Sequence, residues 1–112
     1  MKLAQLSNKD KCDTPPLDDI ANHAYQATEL LKALANESRL MILCTLVDGE
    51  KAVGQLSELT DRAQSSVSQD LARLRRQDLV TSRRDGKTVY YSIKSEVARR
   101  VIIVLHEFFC TR

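Results

Sequence analysis

The sequence is short of the residues on which several classes of protein depend. It has no tryptophan, three glycines, two prolines and 4% aromatic residues among 112. We find no glycine-rich phosphate loop and no nucleophile with a base and an orienting group, so we expect no enzyme and no catalytic residues. No apolar run approaches the ~18 residues of a membrane span, and the first residues lack the apolar core of a secretory signal. We therefore expect a cytoplasmic protein whose thiols are kept reduced.

Cysteine is also scarce, and its spacing argues against a fixed disulfide framework. The three cysteines, Cys12, Cys44 and Cys110, are odd in number and include no Cys-x-x-Cys pair. Cys44 lies in the aliphatic run RLMILCTLV, where a lone thiol is commonly an inert core residue. The sequence at this point leaves open whether Cys44 is packing material or a reactive group.

Charge is nearly balanced overall but is unevenly distributed. The net charge is +2, whereas residues 62–94 contain eight basic and three acidic residues and carry +5. A basic block of this kind can neutralise nucleic-acid phosphates. On charge alone, an ordinary solvated charged face is the favoured interpretation.

Apolar spacing and turn residues predict one folded domain after a polar arm. Residues 1–17, which contain Pro15-Pro16, are expected to form a flexible N-terminal arm, and residues 18–112 the folded domain. Two strand-like runs flank Asp85-Gly86, a strong hairpin signal. The predicted fold class is mainly α with a small β-hairpin, and its helices cover about 18–34, 37–47, 53–60, 63–77 and 95–109. Asn36 is the predicted N-cap of the second helix.

Two of these helices carry more apolar surface than one face requires. The helix over 37–47 is apolar on all sides, which predicts a buried helix with Cys44 pointing into the protein. The last helix carries a wide apolar band, which suggests a subunit interface and comprises Val97, Val101, Val104, Leu105 and Phe108, with Ala98, Ile102 and Phe109 beside it.

A short helix, a turn of about three residues, a Ser/Gln-rich helix and a basic hairpin follow one another. This order is typical of a DNA-binding helix-turn-helix. Val67, Leu71 and Leu74 are spaced to pack inward, which leaves short amides and hydroxyls outside to hydrogen-bond base edges. Basic residues nearby can hold the phosphate backbone. The predicted DNA-binding residues are Gln64, Ser65, Ser66, Ser68, Gln69, Arg73, Arg83, Arg84 and Lys87.

Over nearly all of residues 20–110 the sequence resembles the ArsR/SmtB family of winged helix-turn-helix repressors. The segments that carry the resemblance are LLKALANESRLMILCTL, VGQLSEL, QSSVSQDLARLRRQDLV and SRRDGKTVYYSI. The resemblance implies a homodimer, joined through its first and last helices, that binds an imperfect inverted repeat in double-stranded operator DNA. Two positions depart from the family pattern. Ala63 replaces a usual capping serine, and Asp70 replaces a frequent histidine, where an acid would repel phosphate or accept from cytosine N4.

The resemblance also addresses what the protein senses. The family's cysteine-rich metal motif would fall in KAVGQLSEL, which has no cysteine. The family's zinc site on the last helix needs an acid and two histidines at fixed spacing, a pattern that Glu96, His106 and Glu107 do not provide. We therefore expect no metal and no cofactor. The pair Cys44 and Cys110 resembles the reactive-sulfur-sensing subgroup of SqrR, BigR and HlyU type. That resemblance implies a reduced dithiol that persulfide or polysulfide joins by a disulfide or polysulfide bridge within one subunit, releasing DNA and derepressing sulfide-handling genes.

Two alternatives remain open at this point. Cys12, Cys44 and Cys110 together could bind arsenite or another soft metal through their thiolates. The same DNA contacts would also serve an activator or anti-silencer. We interpret Cys12 as an incidental thiol of the arm.

Overall fold

A computed structural model describes residues 17–109, with side chains from residue 19 onward; residues 1–16 of the proposed arm, with Cys12, and Cys110 lie outside the described residues. Leu17, the last residue of the proposed arm, already belongs to the first helix. The described chain forms five helices and three strands: α1 (Leu17–Leu34), α2 (Glu37–Leu46), β1 (Lys51–Ala52), α3 (Val53–Thr60), α4 (Gln64–Arg76), β2 (Val80–Asp85), β3 (Thr88–Ile93) and α5 (Glu96–Phe109). The five predicted helices are confirmed. The chain separates into two compact units after Leu31, and all elements from α2 onward belong to the second. Among the described residues, no helix is long and apolar enough to span a membrane.

The three strands form an antiparallel sheet in the order β1-β3-β2. The predicted hairpin is present, but its turn lies one residue later than the Asp85-Gly86 signal suggested. Asp85 pairs with Thr88, so the loop consists of Gly86 and Lys87. Gly86 has a φ of 68°, and a glycine with positive φ at the first loop position is typical of a tight two-residue hairpin. Strand β1 was not predicted, because two residues are too few to show an alternating pattern.

Helix α2 lies at the centre of the second unit. It contacts α3, α4, α5 and β3. Its core side chains Ile42, Leu43 and Leu46 are almost completely inaccessible to solvent. The prediction that this helix is buried on all sides was wrong. Four of its apolar side chains are only half-buried, namely Leu40, Met41, Cys44 and Val47. A small unit has too few neighbouring elements to cover a whole helix.

Both ends of α2 are fixed by polar contacts. At its start, Asn36 Oδ1 accepts a 3.0 Å hydrogen bond from the Arg39 backbone N–H, which confirms Asn36 as the predicted N-cap. The buried Arg39 guanidinium donates to the Ala33 carbonyl over 2.8 Å, in the last turn of α1. At the other end, Arg99 Nη1 on α5 donates to the Val47 carbonyl over 3.1 Å. Helix α2 is therefore held by directional contacts as well as by packing.

The last helix presents apolar side chains on two sides. Ala98 and Ile102 are fully buried, whereas Phe108 and Phe109 are 77% and 81% exposed. Val97 and Val104 are also exposed. The wide band expected from the sequence thus divides into a core face and an exposed apolar face.

The turn after α3 generates a stability prediction. Asp61 has a φ of 56°, in the left-handed region where glycine is unstrained and alanine is not. We expect Asp61→Gly to be about 1 kcal/mol more stable than Asp61→Ala, as measured by urea unfolding at one protein concentration.

Ala72 provides the matched control, because it is exposed within the regular helix α4. There the order reverses, and Ala72→Gly should cost about 1 kcal/mol. Equal or greater stability of Asp61→Ala relative to Asp61→Gly would show that the turn does not require its left-handed conformation.

Candidate nucleic-acid interface and thiol site

The turn between α3 and α4 is fixed by backbone and side-chain hydrogen bonds. Helix α3 ends at Thr60 and α4 begins at Gln64, so the predicted three-residue turn is confirmed. The Arg62 N–H donates to the Ser57 carbonyl over 3.1 Å, and Ser57 Oγ donates to the Arg62 carbonyl over 2.5 Å. Ala63 is the N-cap of α4 and makes no side-chain capping bond, as its lack of a hydroxyl predicted. The two helices are therefore joined by a short, well-bonded turn.

Helix α4 buries one face and exposes the opposite one. Val67, Leu71 and Leu74 are fully inaccessible, which confirms the predicted inward positions. All five predicted base-reading residues of α4, from Gln64 to Gln69, are exposed. At 3.6 residues per turn they do not share one face. Ser65 and Gln69 lie at the centre of the exposed face, whereas Gln64 and Ser68 lie on one flank and Ser66 on the other.

Basic side chains continue this exposed face towards the C-terminus of α4. Arg73, Arg75 and Arg76 are all exposed. A shallow cavity of about 350 Å³ is lined by Ala72, Arg75 and Arg76. Arg76 follows Ser65, Gln69 and Ala72 on the same face. The arrangement offers hydroxyl and amide groups first and positive charge beyond them.

Arg83 on the hairpin is engaged by neighbouring side chains. Its Nε and Nη2 atoms donate to the two Glu50 carboxylate oxygens over 2.9 and 2.6 Å. Its guanidinium carbon also lies 4.9 Å from the ring centre of Tyr90, the residue that pairs with Arg83 across the hairpin. A bidentate carboxylate and an aromatic ring hold the guanidinium in a defined place. A phosphate that binds Arg83 therefore competes with Glu50 for the positive charge of the guanidinium.

The ion pair depends on the ionisation of Glu50. Hydrogen bonding from Arg83 lowers the pKa of the Glu50 carboxyl below its usual value, and the same bond raises the pKa of Arg83. Because the lowered pKa belongs to the folded state, the contribution of the pair is complete above about pH 4.3 and is lost as the pH falls through the lowered value. The pair is therefore intact at neutral pH.

The other two predicted hairpin contacts differ from Arg83. Arg84 lies on β2 and Lys87 in the loop, and both side chains are exposed. Neither has a carboxylate within ion-pair distance among residues 19–109. The hairpin thus presents two basic groups that can meet phosphate without first breaking an ion pair.

Asp70 is oriented differently from its exposed neighbours on α4. Its carboxylate accepts a hydrogen bond from the Ser38 hydroxyl, in the first turn of α2. Asp70 and Ser38 are both half-buried. The sequence suggested either phosphate repulsion or a contact to cytosine at this position, and the structure instead gives Asp70 a partner inside the protein.

Cys44 is half-buried on α2, so the expectation that it points wholly into the protein was wrong. Cys44 precedes Val47 by three residues, and Val47 is the residue whose carbonyl accepts from Arg99 on α5. Cys110 directly follows Phe109 in the sequence but lies outside the described residues, so its pairing with Cys44 stays a prediction. Within residues 19–109, no cluster of three or more metal-ligating side chains is present.

Three contributors to this site were missed in the sequence. Glu50 meets Arg83 across 33 residues and Ser38 meets Asp70 across 32, and Arg99 reaches Val47 across 52. No local pattern indicates such contacts. The pairing of Lys51 with Tyr91 in β1, had it been foreseen, would have placed Glu50 beside the hairpin.

Comparison with known proteins adds independent information. Residues 36–82 match the family model described as bacterial regulatory protein, arsR family. The chain is 44% identical to the transcriptional activator HlyU of Vibrio cholerae over 84% of this chain and 87% of that protein. The structure of reduced HlyU superimposes with a TM-score of 0.81 at 43% identity, covering 85% of this chain and all of that one.

Two further relatives are informative. The biofilm growth-associated repressor of Agrobacterium fabrum is 39% identical over 85% of this chain and 81% of that protein. The homodimeric winged helix-turn-helix DNA-binding domain Mb0332 of Mycobacterium bovis superimposes with a TM-score of 0.72 at 32% identity, over 86% of this chain and 89% of that one.

The Glu50–Arg83 pair generates a prediction about salt dependence. We expect Glu50→Gln to bind DNA several-fold more tightly, because Arg83 then becomes available to phosphate. The slope of log affinity against log salt should steepen by about one, as expected for one added phosphate contact. Fluorescence anisotropy of a labelled duplex at several salt concentrations measures both quantities.

Asp48→Asn is the matched control. It removes the same charge from the same loop, but the basic group that it frees is Lys51, whose ammonium donates to the Asp48 carboxylate over 2.9 Å. If Glu50→Gln and Asp48→Asn change the salt slope equally, Arg83 is not the group released towards DNA.

Proposed function

Because the chain belongs to the arsR family of bacterial regulatory proteins, in the group of HlyU and the biofilm growth-associated repressor, we propose that it is a persulfide-responsive transcriptional repressor. In its reduced state the homodimer binds an imperfect inverted repeat of operator DNA in the cytoplasm. Persulfide or polysulfide then joins Cys44 to Cys110 within one subunit, and the operator is released.

The observation that carries this proposal is the place of Cys44 in the fold. It is half-buried, so a small sulfur species can reach it, and it lies on the helix that contacts both α4 and α5. The Arg99 bond fixes α5 to the end of α2 one turn beyond Cys44. Cys110 follows α5 directly in the sequence, so a bond between the two thiols would act on the packing of these helices.

The proposed chemistry is thiol–polysulfide exchange. One thiolate attacks a sulfur of the polysulfide, forms a cysteine persulfide and expels the shortened polysulfide. The second thiolate attacks the sulfur bonded to the first cysteine and expels hydrosulfide, which leaves a disulfide. Where the first cysteine carries a longer chain, the second thiolate attacks the sulfur next to the terminal one and expels that terminal sulfur as hydrosulfide, which keeps one or more extra sulfurs in the bridge. The two thiols are oxidised and sulfane sulfur is reduced.

Bridge length supplies a reason for selectivity. A plain disulfide requires Cα atoms within about 7 Å, and cysteines held slightly farther apart by packed helices cannot form one without strain. A bridge with one or two added sulfurs spans the longer gap. Peroxide, which adds no sulfur, would then be a poorer inducer than polysulfide.

Release of DNA follows from how two recognition helices must fit one duplex. Their separation has to match successive major grooves about 34 Å apart. A shift of about 1–2 Å in the packing of α2 and α5 is enough to alter that match in both subunits.

Exposed apolar surface supports the dimer. Phe108 and Phe109 expose most of their area on α5, and Tyr25 and Leu31 are exposed on α1. Several large apolar side chains exposed on one helix are typical of a helix that packs against another subunit. The relative Mb0332 is described as homodimeric, and we propose that this chain likewise dimerises through its first and last helices.

One observation favours a second candidate function. HlyU carries the name transcriptional activator, whereas the Agrobacterium relative is named a repressor. The same DNA contacts would let this chain act as an activator or anti-silencer by displacing another repressor. A soft-metal sensor would instead use the thiolates of Cys12, Cys44 and Cys110 together.

A gel-shift titration with polysulfide tests the thiol switch. The DNA is a duplex that the reduced protein selects from a random-sequence library. Wild-type protein should release it on polysulfide treatment, whereas Cys44→Ser and Cys110→Ser should remain bound, because neither can close the bridge. Retained release in both variants would rule out the dithiol mechanism.

Cys12→Ser is the matched control, since it removes a thiol without removing the proposed pair. It should respond to polysulfide like wild type, while arsenite binding through three thiolates would weaken.

Mass spectrometry should find a Cys44–Cys110 bridge with added sulfur after polysulfide and little bridge after peroxide. Equal yields of the same disulfide from both reagents would remove the argument for selectivity.

A reporter gene in a bacterial host distinguishes repression from activation. The selected duplex is placed within a promoter that is otherwise active, and expression of the chain should lower reporter output until polysulfide is added. Higher reporter output on expression of the chain would favour activation.

A further inference from the structure

Asp70 is the one acidic side chain of α4, and it does not lie on the exposed face of that helix. At 3.6 residues per turn, Asp70 lies on the flank of the buried stripe, beside Leu71 and one turn before Leu74. It is half-buried there and accepts a hydrogen bond from the Ser38 hydroxyl. Ser38 lies in the first turn of α2, directly before the buried Arg39. The hydrogen bond therefore joins α4 to the start of the central helix.

The packing of α4 does not by itself determine how the helix is rotated. Val67, Leu71 and Leu74 hold α4 in the core, but apolar contacts are non-directional and tolerate small rotations about the helix axis. A hydrogen bond to a carboxylate has a preferred angle and distance. The Ser38–Asp70 bond thus constrains the rotation of α4, and with it the direction in which Ser65 and Gln69 project.

We infer that Asp70 is a positioning residue of the DNA-binding helix, which acts through Ser38 and reads no base. The inference rests on the DNA interface of the proposed function and does not depend on the thiol switch. The Ser38–Asp70 bond would also let α2 transmit the effect of the proposed thiol bridge to α4. One end of α2 is tied to α5 by Arg99 and the other to α4 by Ser38, so a movement of α2 relative to α5 is passed to α4.

A double-mutant cycle in the reduced protein tests the inference. The duplex is the one selected by wild-type protein from a random-sequence library, and affinities are measured by fluorescence anisotropy. Ser38→Ala should weaken binding about fivefold to tenfold, because only part of the population then holds α4 in the competent rotation. In the Asp70→Ala background, Ser38→Ala should have no further effect. The cycle cancels the gain in affinity that loss of a negative charge near DNA brings by itself.

Base preference separates positioning from reading. Each variant selects its own duplexes from the same library, and a positioning residue should leave the preferred sequence unchanged in Asp70→Ala. Asp70→Asn keeps an acceptor for Ser38 and should bind at least as tightly as wild type. Thr45→Val is the matched control for Ser38→Ala, since the Thr45 hydroxyl bonds only within α2, to the Met41 carbonyl over 2.8 Å, and its loss should not change affinity.

Three results would overturn the inference. They are a changed preference at one base pair in Asp70→Ala alone, additive effects of the two alanine substitutions, and wild-type affinity in Ser38→Ala. Circular dichroism at the binding temperature confirms that each variant is folded. Because every measurement uses reduced protein, a failure of the polysulfide response would contradict the switch and leave the positioning role standing.

Discussion

The position of α2 in the second unit is the constraint on which the rest of this unit depends. Ile42, Leu43 and Leu46 are almost completely buried, and the helix contacts α3, α4, α5 and the sheet. Packed interiors transmit strain to the elements around them, because they contain few voids that could absorb it. A chemical change on α2 therefore has few ways to be absorbed locally. This is why a thiol on its half-buried side is well placed to control a distant surface.

The charged groups on and beside the surface proposed to bind DNA differ in whether they have a partner within the protein. The arginines of α4, together with Arg84 and Lys87, have no carboxylate partner among residues 19–109, whereas Arg83 is held by Glu50 and Tyr90. Asp70 is turned away from the exposed face by Ser38. The one acidic side chain of α4 thus has a partner within the protein. A modest net charge of +2 is compatible with DNA binding because residues 62–94, which include α4 and the hairpin, carry +5.

Sequence patterns predicted the local structure well, because helix periodicity and capping act within a few residues. Asn36 as an N-cap, the inward positions of Val67 and Leu71, and the three-residue turn were all predicted correctly. The errors concern contacts between distant segments. Strand β1 exists through its pairing with β3, and the exposure of Cys44 depends on how many elements surround α2. Neither property is encoded in a local pattern.

For the candidate site, the sequence likewise predicted local features but not contacts between distant segments. Exposure of the α4 polar residues followed from their spacing, but the partners of Arg83 and Asp70 did not, since they lie 33 and 32 residues away. The resemblance to a known family supplied the proposed pairing of Cys44 with Cys110, which spacing alone cannot give. Family membership is established by the relatives, and the identity of the inducer remains a proposal.

The central claim is that a bond between Cys44 and Cys110 moves the two DNA-binding helices of a dimer. Pulsed electron paramagnetic resonance measures this directly, with a spin label on a noncanonical amino acid at the exposed position 72 of α4. Polysulfide should shift the distance between the two labels by several ångströms in wild-type protein and leave it unchanged in Cys44→Ser. Release of DNA by wild-type protein with no change in that distance would contradict the account.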